Sequence, residues 1–216
     1  MSNLSVFNTL ISIDEVPMFI DSLNKLSIKY LNEVKKPYTQ MYKQRNKFLK
    51  KDIGDFGLSL HSKSFFNDKK VINFVNYCGE KSYNLLNDMG YDLSNHSLNF
   101  NNMWVQEFSE KGGGHHSAHL HSNNHISGFY FLECSERTSY SIFYDPRPGA
   151  VMSALPLKNP EEFSAGNNSV FMKPKPGTMV IFPSYLAHEF TVDYGIDKFK
   201  FIHWNIQCVP INALKK

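Results

Sequence analysis

Residues 112–132 read GGGHHSAHLHSNNHISGFYFL and hold five of the chain's nine histidines within eleven residues. Three glycines lead in and an apolar run leads out, so the stretch reads as a permissive loop, a short strand and then a buried strand. Side chains alternate along a strand, which puts His119 and His121 of HLH on one face, roughly 6–7 Å apart at the Cα level. Two imidazoles so spaced can lean onto one ion at about 2.1 Å from each nitrogen. Leu120 and Ala118 then point the other way, into a layer between sheet and helices. The bland alternative is a polar loop that happens to be rich in histidine.

A third ligand has to come from another strand. In GTMVIFPSYLAHEFTVDYG, residues 177–195, His188 follows an apolar strand and a proline-containing turn, and shares parity with Phe190 and Val192. That places it on a buried face, where a neutral imidazole needs a partner. Taken alone it reads equally as a hydrogen-bonded core histidine; beside an H-x-H strand it reads as a metal ligand. His115, His116 and His125 sit in loop positions and read as solvated or supporting groups. His61 and His96 carry no signal.

Outward from this centre, the chain is patterned as one unit. At 216 residues, 42% hydrophobic and 20% charged, it suits a single large globular domain, and a 14% aromatic share led by 18 Phe and 11 Tyr favours sheet in the core. A formal charge of +3 is too small to argue for nucleic acid. Three scattered cysteines argue against a disulfide framework. With no signal peptide in MSNLSVFNTLISIDE and no apolar run of about 20 residues, a cytoplasmic protein is expected.

Two amphipathic helices are expected in the first half. IDEVPMFIDSLNKLSIKYLNEVKK repeats Val16, Phe19, Leu23, Leu26, Tyr30, Leu31 and Val34 at helical spacing, with Asp14 as N-cap and Pro17 in the first turn. NDKKVINFVNYCGEKSYNLLNDMGYD carries a second stripe that stops at Gly90. From Asn95 the pattern changes to strands near 98–108, 117–121, 127–133, 138–144, 168–173, 178–182, 187–193 and 199–208, separated by the turn signals DPRPG, KPKPG and VDYGID. Eight short strands after two helices predict a mainly β jelly roll with helices packed on one sheet. The expected layout is one domain over 1–216, with a helical bracing region at 1–94 and the β core at 95–210.

In order and spacing, HLHSNNHISGFYFL, FYDPRPG, KPKPGTMVIFPSYLAHEF and FIHWN resemble a branch of the 2-oxoglutarate- and Fe(II)-dependent oxygenases found in marine bacteria and their phages. The resemblance implies a double-stranded β-helix with bracing helices, and it places His119, His121 and His188 on the metal positions. His121 stands where that family usually has a carboxylate; Asp145 is a substitute carboxylate or a turn residue. Fe(II) prefers six ligands, and three side chains leave three positions free. The resemblance implies that 2-oxoglutarate takes two and O2 the last, giving succinate, CO2 and an oxidised substrate whose identity is open, a protein side chain among the options.

The far carboxylate of 2-oxoglutarate calls for a cation. The resemblance would place an arginine six residues before Asn205, where Phe199 stands. Lys200, on the face of Ile202, Trp204 and Ile206, is the candidate in its place, or else it snorkels outward. Tyr130 is kept from the S-G-x-Y-Y pattern and Phe131 lacks its phenol; Tyr130 and Asn205 are further co-substrate candidates. Arg147 either binds an anion at the barrel mouth or braces Asp145. Gly112–Gly114 form a candidate lid. Two other functions fit the same residues: a zinc hydrolase or hydratase on three histidines, and a non-catalytic jelly-roll binding or assembly module.

Overall fold

The computed structural model describes residues 4–214. Two helices, α1 (Ile20–Leu49) and α2 (Ile72–Asp88), precede most of the strands, and a short α3 (Pro148–Met152) lies within the β region. Ten strands follow in chain order: β1 (Ser12–Glu15), β2 (Ser59–His61), β3 (His96–Phe108), β4 (His116–His119), β5 (Ile126–Glu133), β6 (Ser141–Tyr144), β7 (Ser169–Met172), β8 (Thr178–Pro183), β9 (His188–Phe190) and β10 (Lys200–Pro210). They form a six-stranded sheet in the order β1-β8-β5-β10-β3-β2 and a four-stranded sheet in the order β4-β9-β6-β7. Every pairing is antiparallel. The architecture is the expected double-stranded β-helix, with helices on the larger sheet.

Two cores lie on opposite faces of that sheet. On the helix side, Leu23, Tyr30 and Leu31 of α1 and Phe74, Cys78 and Leu85 of α2 pack on Met103, Val105, Tyr130, Ile202, Trp204 and Ile206. Between the sheets lies an aromatic core of Phe108, Phe129, Phe131, Phe143, Phe182, Phe190, Phe199 and Phe201. Gly128 in the SGFYF run is dictated by packing, because a Cβ there would sit 2.2 Å from Cζ2 of Trp204.

Several local expectations need correction. Asp14 is not a helix cap: it lies in β1, opposite Met179, and pairs with Lys81 of α2 at 3.1 Å. Pro17 instead opens a 3-10 turn, Pro17–Phe19, ahead of α1. β1 and β2, too short to show alternation, bring the supposedly helical first segment into both edges of the large sheet. α1 runs through Pro37 to Leu49, well beyond its apolar stripe; past Val34 its one buried side chain is Asn46, so hydropathy gave no sign of continuation. Leu120 and Ala118 face solvent rather than helices, because β4 belongs to the small sheet, whose outer face is uncovered. β9 ends at Phe190, leaving Val192 exposed.

The glycine approach is not a lid. Gly112 and Gly113 adopt positive φ, and a Cβ on Gly112 would lie 2.7 Å from the Tyr194 carbonyl. Gly57 N–H donates to the Gly112 carbonyl at 2.8 Å, Gly113 N–H to Asp193 at 2.6 Å, and Asp193 N–H to Gly114 at 2.7 Å. The loop is stitched down on both sides.

Candidate metal centre

Strand pairing builds the centre. His119 ends β4 and faces His188 directly in the β4–β9 register, while Phe143 of β6 flanks His188 on its other side. His121 lies just past β4, its backbone N–H held by the Ser184 carbonyl at 3.0 Å. Each of the three imidazoles offers one nitrogen to a cluster in which all three atoms lie within 4.8 Å of one another. His119 and His121 have ring centroids 5.0 Å apart, and His119 and His188 4.5 Å apart.

Ring orientation is fixed from behind. Nδ1 of His119 lies 2.7 Å from the Ser117 carbonyl, and Nδ1 of His188 lies 2.9 Å from that of Leu186. A carbonyl only accepts, so each Nδ1 carries the proton and each Nε2 turns its lone pair to the cluster. Nε2 of His121 and Nε2 of His188 are 3.3 Å apart, and Nε2 of His119 is buried without any partner. Burial, then the neighbouring imidazoles, pushes His121 down to about 3, and burial pushes His188 down to about 4. Converging neutral imidazoles, those of His119 and His188 anchored from behind by carbonyls, are what a transition metal takes as ligands. The donor set fits such a metal.

The cluster is wider than the triad. His203 of β10 is 2% exposed, its ring 4.5 Å from that of His121, and its Nε2 has no partner. Burial pushes its pKa well below the ordinary histidine value. Trp104, its cross-strand partner on β3, lies 4.3 Å away between ring centroids, tilted by 47°, and also has an unpartnered, buried Nε1. His116 lies 4.6 Å from His119 and 5.5 Å from His61 between centroids. Sequence reading missed His203, Trp104 and His61 as neighbours of the centre. The signal was available in β10 alternation, which ties His203 to Asn205, but an apolar opposite face drew the assignment the wrong way.

The remaining candidates fall elsewhere. Lys200 shares the helix-side face with Ile202 and Trp204 and pairs with Glu133 at 3.0 Å; it does not meet the histidines. Tyr130 lies on that face too, its hydroxyl donating to the Val16 carbonyl at 2.7 Å, so it anchors the N-terminal segment. Arg147 grips Asp145 through two nitrogens, at 2.9 and 2.7 Å, and donates to the Ala165 carbonyl; it braces the turn and occupies the carboxylate that could have moved to the metal. Asn205 does lie on the histidine face, accepting from Ser127 at 2.6 Å and donating to Asn102 at 2.8 Å. His125 accepts from the Cys208 N–H at 3.0 Å, a structural role.

Residues 102–195 match the family described as "Putative 2OG-Fe(II) oxygenase". No curated protein matches the chain by sequence. Among solved structures, a prolyl-4-hydroxylase of Pseudomonas putida superposes with a TM-score of 0.52 at 10% identity, covering 91% of this chain and 92% of its own. The viral collagen prolyl hydroxylase of Paramecium Bursaria Chlorella virus-1 gives 0.53 at 12% identity, over 96% and 98%. A Trichoplax adhaerens prolyl hydroxylase, solved in complex with a hypoxia inducible factor peptide fragment, gives 0.50 at 12%, over 95% and 87%. At these identities the likeness is one of fold.

Proposed function

We propose that this chain, whose residues 102–195 match the 2OG-Fe(II) oxygenase family, is one of those oxygenases, holds Fe(II) on His119, His121 and His188 and hydroxylates a peptide side chain. The family are oxidoreductases that use Fe(II) and 2-oxoglutarate. The convergence of three imidazoles between the two sheets, two of them oriented by backbone carbonyls, is the observation that carries the reading. When bound, the metal and 2-oxoglutarate supply activation of O2 coupled to decarboxylation, with succinate and CO2 as products.

The chain's own residues contribute orientation and exclusion of water. Ser117 and Leu186 carbonyls set the tautomers of His119 and His188. Phe129, Phe143 and Phe182 line His188 at 5.5, 5.7 and 4.8 Å and keep that side of the centre dry. A peptide substrate is supported by the prolyl hydroxylases of the same fold. The segment between β6 and β7 also exposes Met152, Leu155 and Phe163, apolar side chains suited to contact with a chain. No helix is long and apolar enough to cross a membrane among the described residues.

The test is Fe(II)-dependent succinate release from 2-oxoglutarate, paired with mass spectrometry of a peptide panel for gain of one oxygen atom. Wild type should show both, and His119→Ala neither. Bound zinc that survives iron loading, with no succinate formed, would contradict the proposal.

A further inference from the structure

2-Oxoglutarate is a dianion, and a carboxylate taken out of water needs donors waiting for it. The interior is lined by Phe199, just ahead of β10, and by Phe201, His203 and Asn205 on the barrel face of that strand. Toward its start the interior is closed by aromatic packing: Phe201 lies 4.6 Å from Phe190 and 5.8 Å from Phe131, and Phe199 lies 5.6 Å from Phe190. Lys200, the one buried cation among the described residues, faces the helices and is already engaged by Glu133. No ammonium or guanidinium among the described residues is buried between the sheets to receive the guest.

In the other direction along the same face, the interior turns polar and unsatisfied. Trp104 and His203 face one another across β3 and β10. Nε1 of Trp104 and Nε2 of His203 are both buried, both without partners, and the His203 ring is next to the metal ligand His121. An indole N–H only donates, so it requires an acceptor; a neutral imidazole can present an N–H at Nε2. An indole donor and an imidazole nitrogen able to donate, both buried without partners beside a metal centre, mark where an acceptor belongs.

We propose that Trp104 and His203 receive a carboxylate of the 2-oxo acid co-substrate through Nε1–H and Nε2–H, so that neutral donors on the β3–β10 pair replace a cation of the barrel wall. This rests on the oxygenase reading above. It also goes beyond the family match, which ends at residue 195, before Phe199 and the strand that carries His203.

Anaerobic calorimetric titration of 2-oxoglutarate into the Fe(II)-loaded protein tests the assignment, with Fe(II) affinity measured separately for each variant. Trp104→Phe and His203→Phe should each weaken 2-oxoglutarate binding at least tenfold and leave Fe(II) affinity unchanged. Lys200→Met should bind within twofold of wild type. In the unmutated, Zn(II)-loaded protein, one of the two indole N–H resonances should shift downfield as 2-oxoglutarate saturates, which keeps the test independent of variant folding. Wild-type affinity retained in both variants, or neither indole moving at saturation, would overturn this inference alone. Loss of Fe(II) from His203→Phe would overturn it by making His203 a ligand. Failure of the wild-type Fe(II) protein to bind 2-oxoglutarate at all would overturn both the inference and the oxygenase reading.

Discussion

The two faces of β10 are both buried, yet they do opposite work. Facing the helices, Ile202, Trp204 and Ile206 complete a core in which Lys200 pairs with Glu133 and Tyr130 with the Val16 carbonyl, while Trp204 Nε1 stays buried without a partner. Facing the small sheet, Phe199 and Phe201 give way within a few residues to His203, whose Nε2 is unpaired, and to the histidine triad. Burial and apolarity cannot tell these faces apart. Clustering does: the unpartnered nitrogens of His119, His203 and Trp104 gather around the triad, whereas Trp204 Nε1 and Ser82 Oγ on the helix side lie in an apolar core away from the metal-ligating histidines.

Substitutions on the two faces should therefore separate stability from binding. The largest effect is expected at Gly128→Ala, on the helix face, where the added methyl would meet the Trp204 ring at 2.2 Å. Overpacking of this kind should cost about 3 kcal/mol in urea unfolding. A barrel-face counterpart, His188→Ala, should lower metal affinity by roughly a hundredfold or more, since removing a ligand exceeds the loss known for its supporting partners. Tyr130→Phe should cost about 1 kcal/mol of stability, the worth of one hydrogen bond, and leave 2-oxoglutarate binding intact by calorimetry. Smallest of all, Arg147→Ala should free Asp145 and raise hydrogen exchange across residues 145–165 without altering metal or co-substrate affinity; loss of either would return Arg147 to the site.

The sequence made much of the fold legible because the barrel strands are punctuated by strong turn signals, such as KPKPG, where Gly177 adopts φ +89°. H-x-H and the distal histidine were readable because they sit at fixed parity on strands. The co-substrate side was not. Deciding between the two faces of KFKFIHWN requires knowing which layer each meets, and here both layers are apolar: helices on one side, phenylalanines on the other. The family's habit of placing a cation on that strand pointed to Lys200, whereas β10 alternation turns Lys200 toward Glu133 and His203 toward the metal ligands. β1 and β2 escaped notice because edge strands of 4 and 3 residues carry too little pattern.

Metal affinity across single alanine variants of His119, His121 and His188 probes the central claim most directly, with His125→Ala as a control outside the cluster. One ion per chain in wild type and His125→Ala, with binding collapsed in each of the other three, is the predicted result. Undiminished binding in any of the three would contradict a centre built by those imidazoles together.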